Sequence, residues 1–573
     1  MRMFLAKVRR FAVCSAVLTG LVAVPNLFAA DDESVASDQL LPPGVLLHVR
    51  ISDVSDLKER LPETGFGKIY QDESMDKIRA KVEEAFEKGS EEAGKELGFP
   101  LSDLLNLPEG EVSLSLIQPA GRTLAGVLIM EIGDQKETLD KALEKLDEAI
   151  TKQGATKKTE TIEEVEVTVY EMDKPGSDSE KNTFCFFTED GKFVGGSDIA
   201  VLQDVLSRWD GDSDDVLAEQ EVYSYIREKC ATRSDDDSSV IEYYIDPMGL
   251  LMAGLNSSEE LSTQALMVSA YLPTLGLDKL KALGGNLDIA EGDFDVHSKS
   301  FIYVDQPTSG LLRAFEFPAT DLAPPAWVGA GTPAYNAMNW DAAGAYDAIT
   351  EMADTFLGQP GAAAQQVTQM STQLGFHLKD DLIDHLAGPI VILSDVNPEA
   401  TQVGQKFLAA VKLKDSAAFQ ETLNVLLQKA GSQVSERDFE GVKIYDIQAP
   451  NEEIHPAIAI AKDNLFVTSH ADMLEAALRS SDDSLAESEG YKKIAKLMPS
   501  QCSIVSFSDL RKQMKPTYDM LKSGKLDGAF EGQVDFSDFP EFEKIEKYFS
   551  LSGSFTIPDE KGVYSEGFML GGE

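Results

Sequence analysis

The sequence predicts an α+β protein built as a tandem duplication, each copy an antiparallel sheet with helices packed on one face. Three observations carry the prediction. Residues 41–305 and 323–569 present the same landmarks in the same order. Within each copy, stretches of alternating apolar residues typical of strands are interspersed with stretches of helical period. The order in the middle of each copy, β-α-β-hairpin-α-β, is that of a split βαβ unit with extra hairpins.

The landmarks are specific. Leu97-Gly98-Phe99 recurs as Leu374-Gly375-Phe376, each about ten residues ahead of a strand (111–116, then 389–393). Leu217-Ala218-Glu219, followed by Glu221, Tyr223 and Ile226, returns as Leu485-Ala486-Glu487 with Glu489, Tyr491 and Ile494. Cys230 is matched by Cys502, Tyr170 by Tyr445, and the double proline Pro42-Pro43 by Pro324-Pro325.

The first thirty residues stand apart. Arg2, Lys7, Arg9 and Arg10 precede the apolar stretch 11–24, then Pro25, and Ala29-Ala30 offers small residues for cleavage. That is the pattern of a secretory signal peptide, with an apolar stretch too short to span a bilayer comfortably. The expected organisation is therefore a signal peptide at 1–30, a short leader at 31–40, a first repeat domain at 41–314, a proline-rich linker at 315–333 and a second repeat domain at 334–573. No later segment is apolar enough to span a membrane, so the expected location is exported, in the periplasm or outside the cell.

The whole chain carries 98 Asp+Glu against 51 Lys+Arg. Removal of the four basic leader residues leaves 47, a net charge near −51. Such a surface repels nucleic acid and anionic headgroups and suits a protein or small-ligand partner. Three cysteines follow the leader: Cys185, Cys230 and Cys502. An odd number allows at most one internal bridge. The matching places of Cys230 and Cys502 favour two buried thiols, and a bridge, if formed, joins Cys185 to Cys230.

Element by element, 45–51 reads as the first strand and 72–95 as an amphipathic helix with Met75, Ile78, Val82 and Phe86 on one stripe. A strand at 124–132 leads to a helix with Leu139, Leu143, Leu146 and Ile150 turned inward. An alternating strand at 165–170 precedes a hairpin across Glu189-Asp190-Gly191, since Asp-Gly accepts the φ values of a tight turn. The second copy has its hairpin across Lys462-Asp463-Asn464. Helices at 199–206 and 473–478, strands at 240–245 and 503–507, and closing hairpins at 285–304 and 553–570 complete the two copies. In Phe184-Cys185-Phe186-Phe187 the residues suit a buried strand with one aromatic edge.

The double proline, the Leu-Gly-Phe step and the Leu-Ala-Glu-x-Glu-x-x-Tyr segment together resemble exported proteins of planctomycete-type bacteria that form a family of unknown function. The resemblance implies export and a duplicated architecture. It brings no activity, cofactor or catalytic residue.

Chemistry is sparse. The chain has no Gly-x-Ser-x-Gly, phosphate-binding Gly-Lys-Ser/Thr, Cys-x-x-Cys or His-Glu-x-x-His. Asp210, Asp212 and Asp214, with Glu221 at loop position 12, have the spacing of a calcium loop, although Asp215 stands where the sharp turn wants glycine. The competing expectation is an acidic solvated turn leading into a short helix, whose first turn favours acids. His377, Asp381 and His385, at i, i+4 and i+8 with Asp380 and Asp384 beside them, share one face if the segment is helical, where they suit a divalent metal or simple His–Asp pairing. The expected function is a non-enzymatic exported protein acting by binding or assembly. The alternatives are a carboxylate- or metal-dependent enzyme with its site between the copies, or a carrier of an apolar ligand.

Overall fold

The computed structural model describes residues 35–97, 106–173, 181–231, 240–257, 259–398, 404–449, 454–479, 483–525 and 536–572. Residues 1–34, which hold the expected signal peptide and the start of the expected leader, and Gly98 and Phe99 of the first Leu-Gly-Phe step, lie outside them. The fold is α+β, with antiparallel pairing in every strand pair whose register is described. By packing the chain divides into two units. One comprises the chain up to Ala265 with Ala282–Ser300, and the other comprises Leu266–Lys281 and everything from Phe301.

The strands of the first unit are β1 (Val45–Ile51), β2 (Val112–Ile117), β3 (Ala125–Glu131), β4 (Thr156–Ile162), β5 (Val165–Asp173), β6 (Lys181–Glu189), β7 (Lys192–Gly196), β8 (Ile241–Ile245), β9 (Leu280–Glu291) and β10 (Phe294–Val304). The ends of β9 and β10 cross the unit boundary. Their order in the sheet is 4-5-6-7-3-2-1-8-9-10. Helices α1 (Val54–Arg60), α2 (Gly65–Gln71), α3 (Asp76–Leu97), α4 (Lys136–Lys152), α5 (Ile199–Leu206) and α6 (Glu221–Cys230) lie between these strands in sequence.

Local chemistry sets these elements. Asp53 accepts from the backbone N–H groups of Ser55 and Asp56 and starts α1, and Asp198 caps α5 through Ala200. The β6–β7 turn places Asp190 at φ 46° and Gly191 at φ 72°, the geometry of a two-residue hairpin turn whose twist matches the strands. On β6, Cys185 and Phe187 are buried, while Phe184 and Phe186 form the expected aromatic edge, Phe186 lying 5.8 Å from Phe184 and 5.7 Å from Phe193. Ile51, Val54, Leu57, Val240 and Ile289 form a buried cluster that seats α1 on β1, β8 and β9. The first long helix begins with a 3-10 turn at Glu73–Met75. Met75 is buried, but Val82 and Phe86 lower on the expected stripe are half-exposed.

The second unit has β11 (Ala334–Asn339), β12 (Leu386–Asn397), β13 (Gly404–Leu413), β14 (Val434–Phe439), β15 (Val442–Ile447), β16 (Ala457–Ala461), β17 (Asn464–Thr468), β18 (Ile504–Asp509), β19 (Leu551–Asp559) and β20 (Gly562–Leu570). They pair in the order 14-15-16-17-13-12-11-18-19-20. Lys462 and Asp463, at φ 49° and 55°, make its two-residue turn without a glycine. Gly375 takes φ +83° after the helix Ala362–Gln373. A short 3-10 turn, Leu485–Glu487, and the helix Glu489–Ala495 stand in this unit where Leu217–Glu219 and α6 stand in the first.

The three described cysteines are free and buried, with no Cys185–Cys230 bridge. Cys185 lies on β6 inside the core, and Cys230 ends α6. Burial pushes the Cys185 and Cys230 thiols up to about 12 and that of Cys502 to about 11. Thiolate chemistry is thus suppressed at neutral pH. Thiol labelling of the folded protein at pH 8 is expected to be slow at all three and to become complete on unfolding, and reductant is expected to leave the melting temperature unchanged. A melting temperature lowered by reductant would contradict free thiols.

Candidate functional site

The strand β1 carries His48 and Arg50 on one side, at alternate positions of an otherwise apolar run. Register extends that side across four strands. His48 lies opposite Ser115 on β2 and Tyr244 on β8, and Arg50 lies opposite Ser113 and Glu242. Glu242 in turn faces Asn286 on β9. The result is a polar row through the middle of the sheet, with Ser113, Ser115, His48 and Asn286 all buried.

Helix α6 covers this row. Its C-terminal end is held by two side chains from the closing hairpin: the Asn286 amide donates to the Cys230 carbonyl at 2.7 Å and the Lys299 ammonium to the Ala231 carbonyl at 2.7 Å. These satisfy acceptors that a helix end leaves bare, and the lysine complements the helix dipole. Tyr223 in its first turn and Arg227 in its last both reach Asp38: Arg227 donates to Asp38 Oδ2 at 2.8 Å and the Tyr223 hydroxyl to the same oxygen at 3.3 Å. Asp38 is fully buried. Its other oxygen, Oδ1, has no hydrogen-bond partner among the described residues.

Beneath the helix, Arg50 sits between two carboxylates, Nε 3.0 Å from Glu111 Oε2 and Nη1 3.2 Å from Glu242 Oε2. The first contact is close but poorly aligned, because Arg50 Nε has no hydrogen bond. Burial works against the Arg50 charge, yet Glu111 and Glu242 outweigh it and raise its pKa. Burial raises the Glu111 carboxyl against the pull of Arg50. Glu111 also accepts the Ser37 backbone N–H at 3.0 Å.

His48 is fully buried. Its Nδ1 lies 2.9 Å from Ser115 Oγ, and its Nε2 has no partner among the described residues. Burial, opposed by Asp38 but assisted by Arg50 and Arg227, brings its pKa down to about 4. The ring is therefore neutral at pH 7. It lines a cavity of about 310 Å³ together with Tyr223, Ile226, Arg227, Glu242, Tyr244 and Asn286. That volume falls at the lower end of small-molecule sites. Asp38, Glu111 and Glu242 stand against Arg50, Arg227 and, at the end of α6, Lys299.

The residues singled out from sequence spacing lie elsewhere. Asp210, Asp212 and Asp214 sit in an exposed turn after α5, where Gly211 has φ +73° and the Ser213 hydroxyl accepts from Asp215 N–H at 3.2 Å. Asp215 itself pairs with Arg208 at 3.2 Å, and Glu221 begins α6. The structure does not bring three of these carboxylates within 4.8 Å of one another. His377, Asp381 and His385 do not share a helical face. The segment is a π-type turn, Leu378–Leu382, followed by a 3-10 turn, Ile383–His385, and Asp381 Oδ2 caps the His377 N–H at 2.7 Å. Asp381 is spent on that turn, which breaks the i, i+4, i+8 spacing. Spacing alone missed Asp38, His48, Arg50, Glu111, Arg227, Glu242 and Asn286. The available signal was His48 and Arg50 two apart inside an apolar strand.

Residues 375–517, about a quarter of the chain and all in the second unit, match a family described as a protein of unknown function, DUF3352. No curated protein and no solved structure matches the chain.

The unfolded state binds a proton at His48 near pH 6.5, whereas the folded state binds it only near 4, so this group removes stability as pH falls between those values. The loss amounts to about 3 kcal/mol at ~1.4 kcal/mol per unit. Glu111, raised in the fold, acts in the opposite direction. Denaturant melts from pH 7 to 4 are expected to show His48→Gln losing about 3 kcal/mol less than the parent chain. Equal losses would mean that His48 is not buried neutral. Arg227→Met strands the buried Asp38 carboxylate. Because Arg227 is half-exposed, the expected cost is about 2 kcal/mol, below the range for a fully buried pair.

Proposed function

We propose that this protein is an exported, non-enzymatic binding protein of the bacterial periplasm or envelope, built by tandem duplication, whose first unit holds a small polar ligand. The charged start of the chain and its apolar stretch speak for export, and the motif likeness for a planctomycete-type source. Among the described residues no helix is long and apolar enough to cross a membrane. The duplication is supported by the two strand orders, which are the same list displaced by ten, and by the repeated 3-10 turn and helix bearing Tyr223 and Tyr491.

One observation carries the binding reading. At the sheet position where His48 lies between Ser115 and Tyr244, the second unit has Tyr335 between Leu393 and Phe507. Where Arg50 lies between Ser113 and Glu242 with Asn286 beyond, the second unit has Ala337 between Val391 and Val505 with Phe555 beyond. The architecture is therefore compatible with an apolar row there. Burying ions costs several kcal/mol apiece before their mutual attraction is counted. The polar row of the first unit is kept for something other than folding. A neutral His48 in the lining of the cavity, its Nε2 without a partner among the described residues, and the tyrosines around it suit a small molecule bearing hydroxyl or amine groups.

The test is native mass spectrometry of the protein isolated from its own source, followed by thermal shift of the stripped protein against a panel of small hydroxylated and amine metabolites. A retained small molecule, or a panel member whose shift is lost in His48→Leu while that variant melts no lower than the parent, is the expected result. A bare chain mass together with no shift across the panel would defeat the reading.

A further inference from the structure

The closing hairpin of the first unit carries a second group of side chains, away from the cavity residues of α6. Asp288 and Glu291 on β9 and His297 on β10 place a carboxylate oxygen each and a ring nitrogen all within 4.8 Å of one another. Among the described residues this is the one set of three His, Cys, Asp or Glu side chains that meets that distance. We infer that Asp288, Glu291 and His297 form a binding site for a first-row divalent transition metal, with zinc the best fit.

The geometry supports a built site in three ways. Asp288 is 3% exposed, and one of its oxygens is fixed by the Val240 N–H at 3.1 Å. The imidazole of His297 stacks on Phe294, ring centres 4.6 Å apart at 26°, which limits its rotation. Glu291 is only half-buried, which leaves solvent access to the site. Tetrahedral zinc with ligands at ~2.0–2.1 Å holds its donors about 3.4 Å apart, so donors already within 4.8 Å of one another need at most a modest closure.

The cations nearest these carboxylates have other partners as well. Lys299 is engaged by the Ala231 carbonyl, and Arg60, whose charge also feels Glu291 and Asp288, is bonded to Asp56 at 2.8 Å. Burial of Asp288 is not demanded by the sheet. Two residues along β9 from Asn286, it occupies the place that Ile557 holds on β19, two residues from Phe555. Two carboxylates and one imidazole select zinc or manganese over calcium, which takes oxygen donors, and three protein ligands leave a position for water.

The experiment is equilibrium dialysis of the metal-stripped full chain against zinc, with metal content read by mass spectrometry. The parent is expected to retain zinc at one ion per chain. Asp288→Asn and His297→Gln are expected to weaken binding by at least about 100-fold, the upper end of the loss caused by removing even an outer partner of a metal site. Melting of each metal-free variant shows that it is folded, and Asp210→Asn serves as a control that should bind as the parent does. No zinc retained by the parent, or equal retention by folded Asp288→Asn and His297→Gln, overturns the inference. Because His48 and Arg227 take no part, failure of the small-molecule pocket leaves this result untouched.

Discussion

The first unit depends on a guanidinium placed where a sheet ordinarily buries hydrocarbon. Arg50, next to the last residue of β1, bridges Glu111 and Glu242. Once that charge is buried, its neighbours must be polar as well, because an unpaired ion costs far more than a paired one. Glu111 and Glu242 answer it directly, and Asp38, paired with Arg227, adds to the field that holds its charge. The same demand positions α6, whose two ends are hung on polar partners rather than on packing alone. A cavity under that helix is the geometric outcome of a cover held at its ends above side chains of unequal length.

Much of the scaffold was legible in the sequence because it obeys local rules. The strand expected at 45–51 is Val45–Ile51, and the hairpin at Asp190-Gly191 has the two positive φ values that this dipeptide tolerates. Strands β4 and β14 were not anticipated. Their residues, Thr-Lys-Lys-Thr-Glu-Thr-Ile and Val-Ser-Glu-Arg-Asp-Phe, are mostly polar, and β4 is exposed along most of its length, so hydrophobic alternation has little to report. Pairing with β5 and β15 makes them strands, through backbone groups that leave no mark in composition.

The site was less legible, and for a different reason. Its hydrogen bonds join residues 56 to 192 positions apart, such as Asn286 to Cys230, His48 to Ser115, Asp38 to Arg227 and Arg50 to Glu242. No local spacing encodes such pairs. What spacing did encode, the acidic run Asp210–Asp215 and the set His377, Asp381 and His385, is used for turns: Asp215 meets Arg208, and Asp381 caps a π-type turn. Short polar side chains compete for backbone groups close in sequence. A pattern of acids three or four apart therefore reports a turn as readily as a metal.

The polar strand β4 also has a role at the sheet's margin. Its described pairing is with β5 alone, and Lys157 and Lys158 answer Asp147, Glu160 and Glu171 across it. A strand with one bare edge offers its amides and carbonyls to any other extended chain. Charges of both signs on that strand mean that a second copy laid alongside would have to desolvate lysines and glutamates to gain its backbone bonds. The strand that contributes least to the core is thus a poor template for another sheet.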